Sequence, residues 1–407
     1  MLAVQSPSRS AVSRLAAARL ISATGSVAAS VALALALYQR TGSAAWVGAA
    51  LLAGFAVPAV VNLSTGALSD RLDRRQILIA SDLLGAACFA AMAYAGAPWL
   101  LLALAVIAAA VAAPFLPASG AMVPALATAD DLPLANSRLA VALTVGRLLG
   151  PFVGGALVAV AGASAAFGVN AVSFVISAAL AATVRGSFRA ARHDTHGPGG
   201  SGDGIRLILA DPVLRALTLG FVLVDVGNGL VMPAEVPLAR EFGAGALGYG
   251  ALMAAWALGG IVGSHRAASL YSRREEPRVV TWSAAALVAS FAAVPVAPWF
   301  AILLAAFAGG GLAMGVVGVG EDLLLQRRTP DRVRGRVNAA HIAAVQFSLA
   351  APLLFSGFLV DAWGPRAVFA LAACSALLGV FALRALQGRE TLGSRSGTDL
   401  AERQRSR

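Results

Sequence analysis

The 407-residue chain contains no lysine; all 31 of its basic side chains are arginine. A nucleotide-binding P-loop places a lysine on the phosphates, and Schiff-base chemistry needs a lysine amine. A single-chain ATP-driven pump and a pyridoxal enzyme are therefore excluded. Cysteine is nearly absent too: Cys88 and Cys374 both sit inside apolar runs and suggest neither a disulfide framework nor a zinc site. The four histidines, His193, His196, His265 and His341, form no metal-ligating pair, so no metal and no cofactor is expected. Charge is scarce: 13% of residues carry one, against about 25% in an ordinary soluble domain.

Apolar residues fill that space. They make up 58% of the chain, and the mean hydropathy is +0.78. A helix crossing the hydrocarbon layer needs about 20 apolar residues. Stretches bounded by charge, proline or glycine give twelve such spans: 17–38, 45–68, 77–95, 99–122, 139–160, 163–184, 214–237, 247–264, 279–296, 299–323, 339–360 and 366–386. The apolar run within the first is preceded by Arg9, Arg14 and Arg19 and closes on Ala34-Leu35-Ala36, as a signal peptide does. It is longer than the apolar part of a signal, and many spans follow, so it reads as an uncleaved first helix. The composition predicts an all-α, multi-pass membrane protein.

The arginines orient it. Connections that follow odd-numbered spans carry only Arg40, Arg240 and Arg366, while the other connections and both tails hold most of the rest, including Arg138, Arg185, Arg189, Arg192, Arg266 and Arg278. Positive residues mark the cytoplasmic side, so both termini are expected inside. The net charge of +11 then suits a cytoplasmic membrane face better than a nucleic-acid partner.

The chain repeats itself. Ala97-Pro98-Trp99 returns as Ala297-Pro298-Trp299, Thr128-x-Asp130 as Thr329-x-Asp331, Gly150-Pro151 as Ala351-Pro352, and Gly162-x-x-Ala165-x-Phe167 as Gly364-x-x-Ala367-x-Phe369, all at an offset of 200 to 202. Two pseudo-symmetric six-helix halves follow, residues 1–184 and 214–388, with a linker at 185–213 and a polar cytoplasmic tail at 389–407. The linker contains Gly197-Pro198-Gly199-Gly200-Ser201-Gly202 and ends in an amphipathic piece whose Ile205, Ile208 and Leu209 share a face suited to the inner leaflet. Paired bundles of this kind suit a rocking motion about a midplane site.

Two motifs carry chemistry. After span 2 stands Gly66-Ala67-Leu68-Ser69-Asp70-Arg71-Leu72-Asp73-Arg74-Arg75. Gly66 allows close helix approach, Asp70 can accept bonds from a helix N-terminus, and Arg71, Arg74 and Arg75 are placed to pair with carboxylates at the inner surface. In span 5, Gly146, Gly150 and Gly154 recur every fourth residue of Gly146-Arg147-Leu148-Leu149-Gly150-Pro151-Phe152-Val153-Gly154-Gly155. One smooth face results, and Pro151 removes a backbone donor and favours a bend.

These motifs resemble two signatures of the major facilitator superfamily. The first is similar to G-x-x-x-D-R-x-G-R-R, a cytoplasmic latch, with Asp73 where the family has glycine; aspartate tolerates the left-handed conformation better than most residues. The second matches G-x-x-x-G-P-x-x-G-G in full, the pattern associated with exporters. With Thr41-Gly42-Ser43, Gln326-Arg327 and Arg334-Gly335-Arg336-Val337, the chain looks closest to the twelve-helix drug-antiporter-like and enterobactin-exporter-like branch. An arginine in span 4, a further antiporter signature, is missing.

Ionisable groups in mid-bilayer cost about 2.5–3.5 kcal/mol and need a reason. Asp225 lies midway along span 7, with Asn228, Met232 and Glu235 at helical spacing behind it as one polar stripe. The resemblance places span 7 on the central cavity. Asp225 then carries a proton or contacts a cationic substrate, or else serves as a structural partner for Arg147 or for span 7 backbone. Arg147 pairs with Asp225, binds an anionic substrate or snorkels inward. Asn62 and Asn170 suit helix–helix bonding, Glu321 and Asp322 an inner-face ion pair with Arg327 and Arg328, and the glycines of span 10 a bending rod.

The expected function is secondary active transport. The chain is read as a non-enzymatic exporter of amphiphilic molecules such as drugs, siderophores or secondary metabolites. It works as a monomer in a bacterial cytoplasmic membrane, by alternating access and in antiport with protons. The competing readings are an importer or facilitator of a small organic solute, and a non-transporting receptor or membrane enzyme.

Overall fold

The computed structural model describes residues 9–69, 73–128, 131–184, 201–273 and 276–384. Every regular element among them is a helix. In chain order these are α1 (Arg9–Thr41), α2 (Ala44–Ser69), α3 (Arg74–Tyr94), α4 (Pro98–Ala112), α5 (Phe115–Leu126), α6 (Leu132–Thr183), α7 (Ser201–Ala210), α8 (Pro212–Val231), α9 (Glu235–Glu241), α10 (Gly245–Arg273), α11 (Glu276–Val296), α12 (Phe300–Arg328), α13 (Asp331–Ala350) and α14 (Ser356–Trp363). The last, α15, is Pro365–Arg384.

Among the described residues eleven helical segments are long and apolar enough to cross a membrane. The longest, α6, spans 52 residues and holds two of the expected spans, because its backbone leaves the helical region at Gly162 (φ 81°, ψ 169°). Glycine alone adopts that conformation without strain. The twelve spans read from hydropathy are thus all present. Their ends differ in one consequential place: α13 starts at Asp331, eight residues before the expected start at 339.

The residues gather into two compact units. One holds the chain before the linker together with residues 236–254; the other holds 201–235 and 255–384. The tail and residues 185–200 of the linker lie outside the described residues.

In the first unit α1 lies along α6. Asn170 of α6 is fully buried beneath Gly25 of α1 and accepts a bond from Ser173 at 3.0 Å, a packing role. Phe167 packs its ring at a tilt against Phe89 of α3, with centroids 6.4 Å apart. In the second unit Phe369 meets Phe291 of α11 at 6.1 Å, and both pairs are 202 residues apart in sequence. Gly364 repeats the backbone of Gly162, at φ 81° and ψ 161°. The sequence repeat is therefore a repeat of contacts and turns.

Each unit also closes one turn between helices with an arginine. Arg40 donates to Ala95 O at 2.7 Å, and Arg366 donates to Pro295 O at 3.0 Å and Ala297 O at 3.3 Å. Carbonyls at a helix C-terminus lack partners within the helix and carry partial negative charge, so a guanidinium satisfies both needs.

The glycines of α12 have a packing role. The helix runs unbroken past them. A Cβ on Gly311 would fall on the backbone of Trp256 in α10, and one on Gly315 would fall on that of Gly260. The amphipathic α7 packs on α13 and α8. Its Ile208 is buried and Gly204 faces the backbone of Arg336, while Ile205 and Leu209 are exposed. The expected single apolar face is thus divided, with Ile208 turned to protein.

Candidate functional site

In the first motif, Asp70 and Arg71 lie outside the described residues, and Gly66 falls in the last turn of α2. Asp73 is not left-handed. It sits at φ −68°, ψ 122° and caps α3, accepting from Arg75 N at 2.9 Å. An aspartate N-cap satisfies an orphan donor and complements the helix dipole. Among the described residues two of the arginines meet carbonyls: Arg74 donates to Ala121 O at 2.8 Å, and Arg75 donates to Ala182 O near the end of α6.

In the second motif the glycine face is turned to α1. A Cβ on Gly146 would come 2.8 Å from that of Ala23, on Gly150 2.5 Å from that of Val27, and on Gly154 2.5 Å from Ala28 O. No real Cβ tolerates such distances, so the glycines set the spacing of α1 and α6. Gly155 points elsewhere in the same unit, towards Ala246 O and the Cα of Gly250. The backbone stays helical through Pro151; its repeat partner Pro352 instead falls in the 3-10 turn Ala351–Leu354.

In the second unit Asp225 is buried and accepts a bond from Asn228 Nδ2 at 3.0 Å. The same nitrogen lies 3.6 Å from Met314 Sδ in α12. Glu235 does not complete the stripe. The helix passes into a 3-10 turn at Met232–Ala234, and Glu235, buried, opens α9 beyond it, about 15 Å of rise from Asp225. The electrostatic neighbours of Asp225 are Glu321 and His341. Neither was expected there. His341 is 2% exposed; its Nε2 lies 2.6 Å from Glu321 Oε1 and its Nδ1 3.0 Å from Thr218 Oγ1. Glu321 therefore does not form the expected pair with the basic residues that follow, and Arg327 pairs with Glu276 of α11 instead. Glu321 also lines an open cleft of about 440 Å³ with Met314, Asp322 and Gln346.

Arg147 belongs to the first unit and lines a cavity of about 230 Å³ there, with Arg19, Ser22, Ser26, Ser81 and Asp82. Asp82 is 1% exposed, and its Oδ2 makes no hydrogen bond. Arg19 is held by Ser119, with Nε to Oγ at 3.0 Å. Sequence reading took Arg19 only as part of the basic run ahead of the first span, and passed over Asp82 because it sits near the start of an apolar span. Among the described residues no group of three His, Cys, Asp or Glu side chains is placed to hold a metal ion.

A long-helix membrane fold with an internal repeat, a glycine-faced fifth span and buried ionisable groups defines a class of membrane transporters. The sequence profile of the Major Facilitator Superfamily matches residues 15–226 and 217–403, and the chain belongs to that family. The multidrug efflux pump Tap of Mycobacterium tuberculosis is 30% identical over 390 residues, covering 90% of this chain and 91% of that protein. Tap of Mycolicibacterium fortuitum is 28% identical over 392 residues, covering 90% and 93%. Among solved structures, the nucleoside transporter NupG superposes with a TM-score of 0.77 at 13% identity, over 92% of this chain and 98% of NupG, a likeness of fold.

Proposed function

We propose that this protein exports amphiphilic organic molecules, such as drugs, siderophores or secondary metabolites, from a bacterial cell in exchange for protons. It works as a monomer in the cytoplasmic membrane with both termini inside, and exposes its site to one face of the membrane at a time. The energy is an ion gradient, with no bound cofactor. The observation that carries the reading is the glycine face of Gly146, Gly150 and Gly154, complete in sequence and pressed against α1 where a side chain has no room. Its sequence pattern goes with exporters, and relatives that match along nine-tenths of this chain are named as multidrug efflux pumps. Asp225 supports the proton half of the exchange: a carboxylate buried in a membrane helix is retained at a cost of about 2.5–3.5 kcal/mol, which a proton-carrying role explains.

Everted membrane vesicles test the reading. They accumulate ethidium, a cationic amphiphile, when a proton gradient is imposed, and lose it when a protonophore collapses that gradient. Gradient-driven uptake of the dye into whole cells would reverse the assigned direction. Unchanged accumulation in Asp225→Asn vesicles would remove Asp225 from the coupling.

A further inference from the structure

The geometry assigns a proton-binding site to the pair His341–Glu321, with Thr218 as the group that lets it exist in two charge states. The inference rests on the proton-antiport reading above and adds this pair to Asp225 as a place where the proton is held.

Three observations converge. The imidazole is buried, so both of its nitrogens need partners, and both have them, one on α8 and one on α12. The two partners differ in kind. A carboxylate only accepts, so Nε2 keeps its proton and donates to Glu321 in either state. A threonine hydroxyl donates or accepts by rotation. With neutral imidazole, Thr218 donates to Nδ1; with imidazolium, Nδ1–H donates to Thr218 Oγ1. One proton is held or released at Nδ1 with both ring nitrogens kept in hydrogen bonds.

The pair also has a way to water. Glu321 is 16% exposed and lines the open cleft while His341 behind it is closed off. Uptake of one proton, held at Nδ1, takes the pair from a net charge of −1 to 0, and its loss returns the pair to −1.

The surrounding charges fit this role. From α8, Asp225 is an electrostatic neighbour of both members of the pair. From α12, Asp322 stands in the cleft beside Glu321. Arg206 of α7, Arg215 of α8 and His265 and Arg266 of α10 are exposed, and the 3-10 turn Ala351–Leu354 carries no ionisable side chain. Carboxylates are thus the charges turned to the ring. A cationic amphiphile that reaches Glu321 and Asp225 competes with the proton for the same negative charge, so binding one expels the other.

The test is proton release on binding, with ethidium as probe. Purified protein in weakly buffered detergent is mixed with the dye; binding is read by fluorescence anisotropy and protons by a pH indicator. The wild type should release about one proton per ethidium bound. His341→Gln and Glu321→Gln should bind ethidium and release fewer than a third as many, and Thr218→Val should release fewer than the wild type while Thr218→Ser restores the count. If the wild type releases protons and a dye-binding His341→Gln or Glu321→Gln releases as many, the assignment is overturned and the antiport reading stands. If the wild type binds ethidium and releases none, the antiport reading falls, and this inference with it.

Discussion

Asn228 holds the carboxylate of Asp225 from the next turn of the same helix, its amide nitrogen 3.0 Å from Oδ1. A buried acceptor stripped of its donor loses about 1–3 kcal/mol, whereas removing both partners loses less. Asn228→Ala should therefore lower the thermal stability of the detergent-solubilised protein, and Asp225→Ala/Asn228→Ala should be less destabilised than the sum of the two single variants. Additive melting shifts would mean that the bond carries no energy.

Gly311 and Gly318 stand seven residues apart in α12 with opposite surroundings. A Cβ on Gly311 meets the backbone of Trp256, while one on Gly318 meets nothing within 4 Å. Overpacking costs about 1–3 kcal/mol, and alanine in place of glycine in a free helix position gains up to about 1 kcal/mol. Gly311→Ala should lower the melting temperature and Gly318→Ala should hold or raise it.

Asp73 caps α3, and losing such a cap to alanine costs about 1 kcal/mol, to glycine only a few tenths. Asp73→Ala should be measurably less stable than the wild type. Asp73→Gly, which restores the family pattern, should lie within a few tenths of a kcal/mol of it by denaturant titration. Equal loss in both variants would separate the cap from stability.

Arg40 and Arg366 clasp corresponding turns from different ends of the repeat, one at the close of α1 and the other at the opening of α15. Each should lose about 1 kcal/mol on replacement by glutamine, since a charge-assisted bond at a partly exposed site is worth roughly that much. The two losses should add within about 0.5 kcal/mol in the double variant, as they do for residues that share no partner.

Hydropathy made the twelve spans legible because burial in lipid demands long apolar runs, and glycine made the break at 162 legible. The polar network was hidden for a local reason. Residues 331–338 carry Asp331, Arg332, Arg334 and Arg336, which read as a loop, yet the helix begins there. Starting it at 339 put His341 at a helix end, where a histidine is solvated; starting it at Asp331 puts His341 in the middle of α13 and against Glu321. The cavity around Asp82 and Arg147 was hidden for a global one. Its lining comes from residues 19 to 174, a juxtaposition that no sequence window contains. Asn228 was found because its partner is one turn away.

The matched aromatic contacts, Phe89 with Phe167 and Phe291 with Phe369, sit beside turns of the same shape at Gly162 and Gly364. A duplicated gene explains such agreement, and it gives the molecule a built-in reference. Any feature found in one copy and missing from the other, as the histidine–carboxylate pair is tied to the later copy alone by its residue numbers, marks where the descendants of one ancestor were put to separate uses.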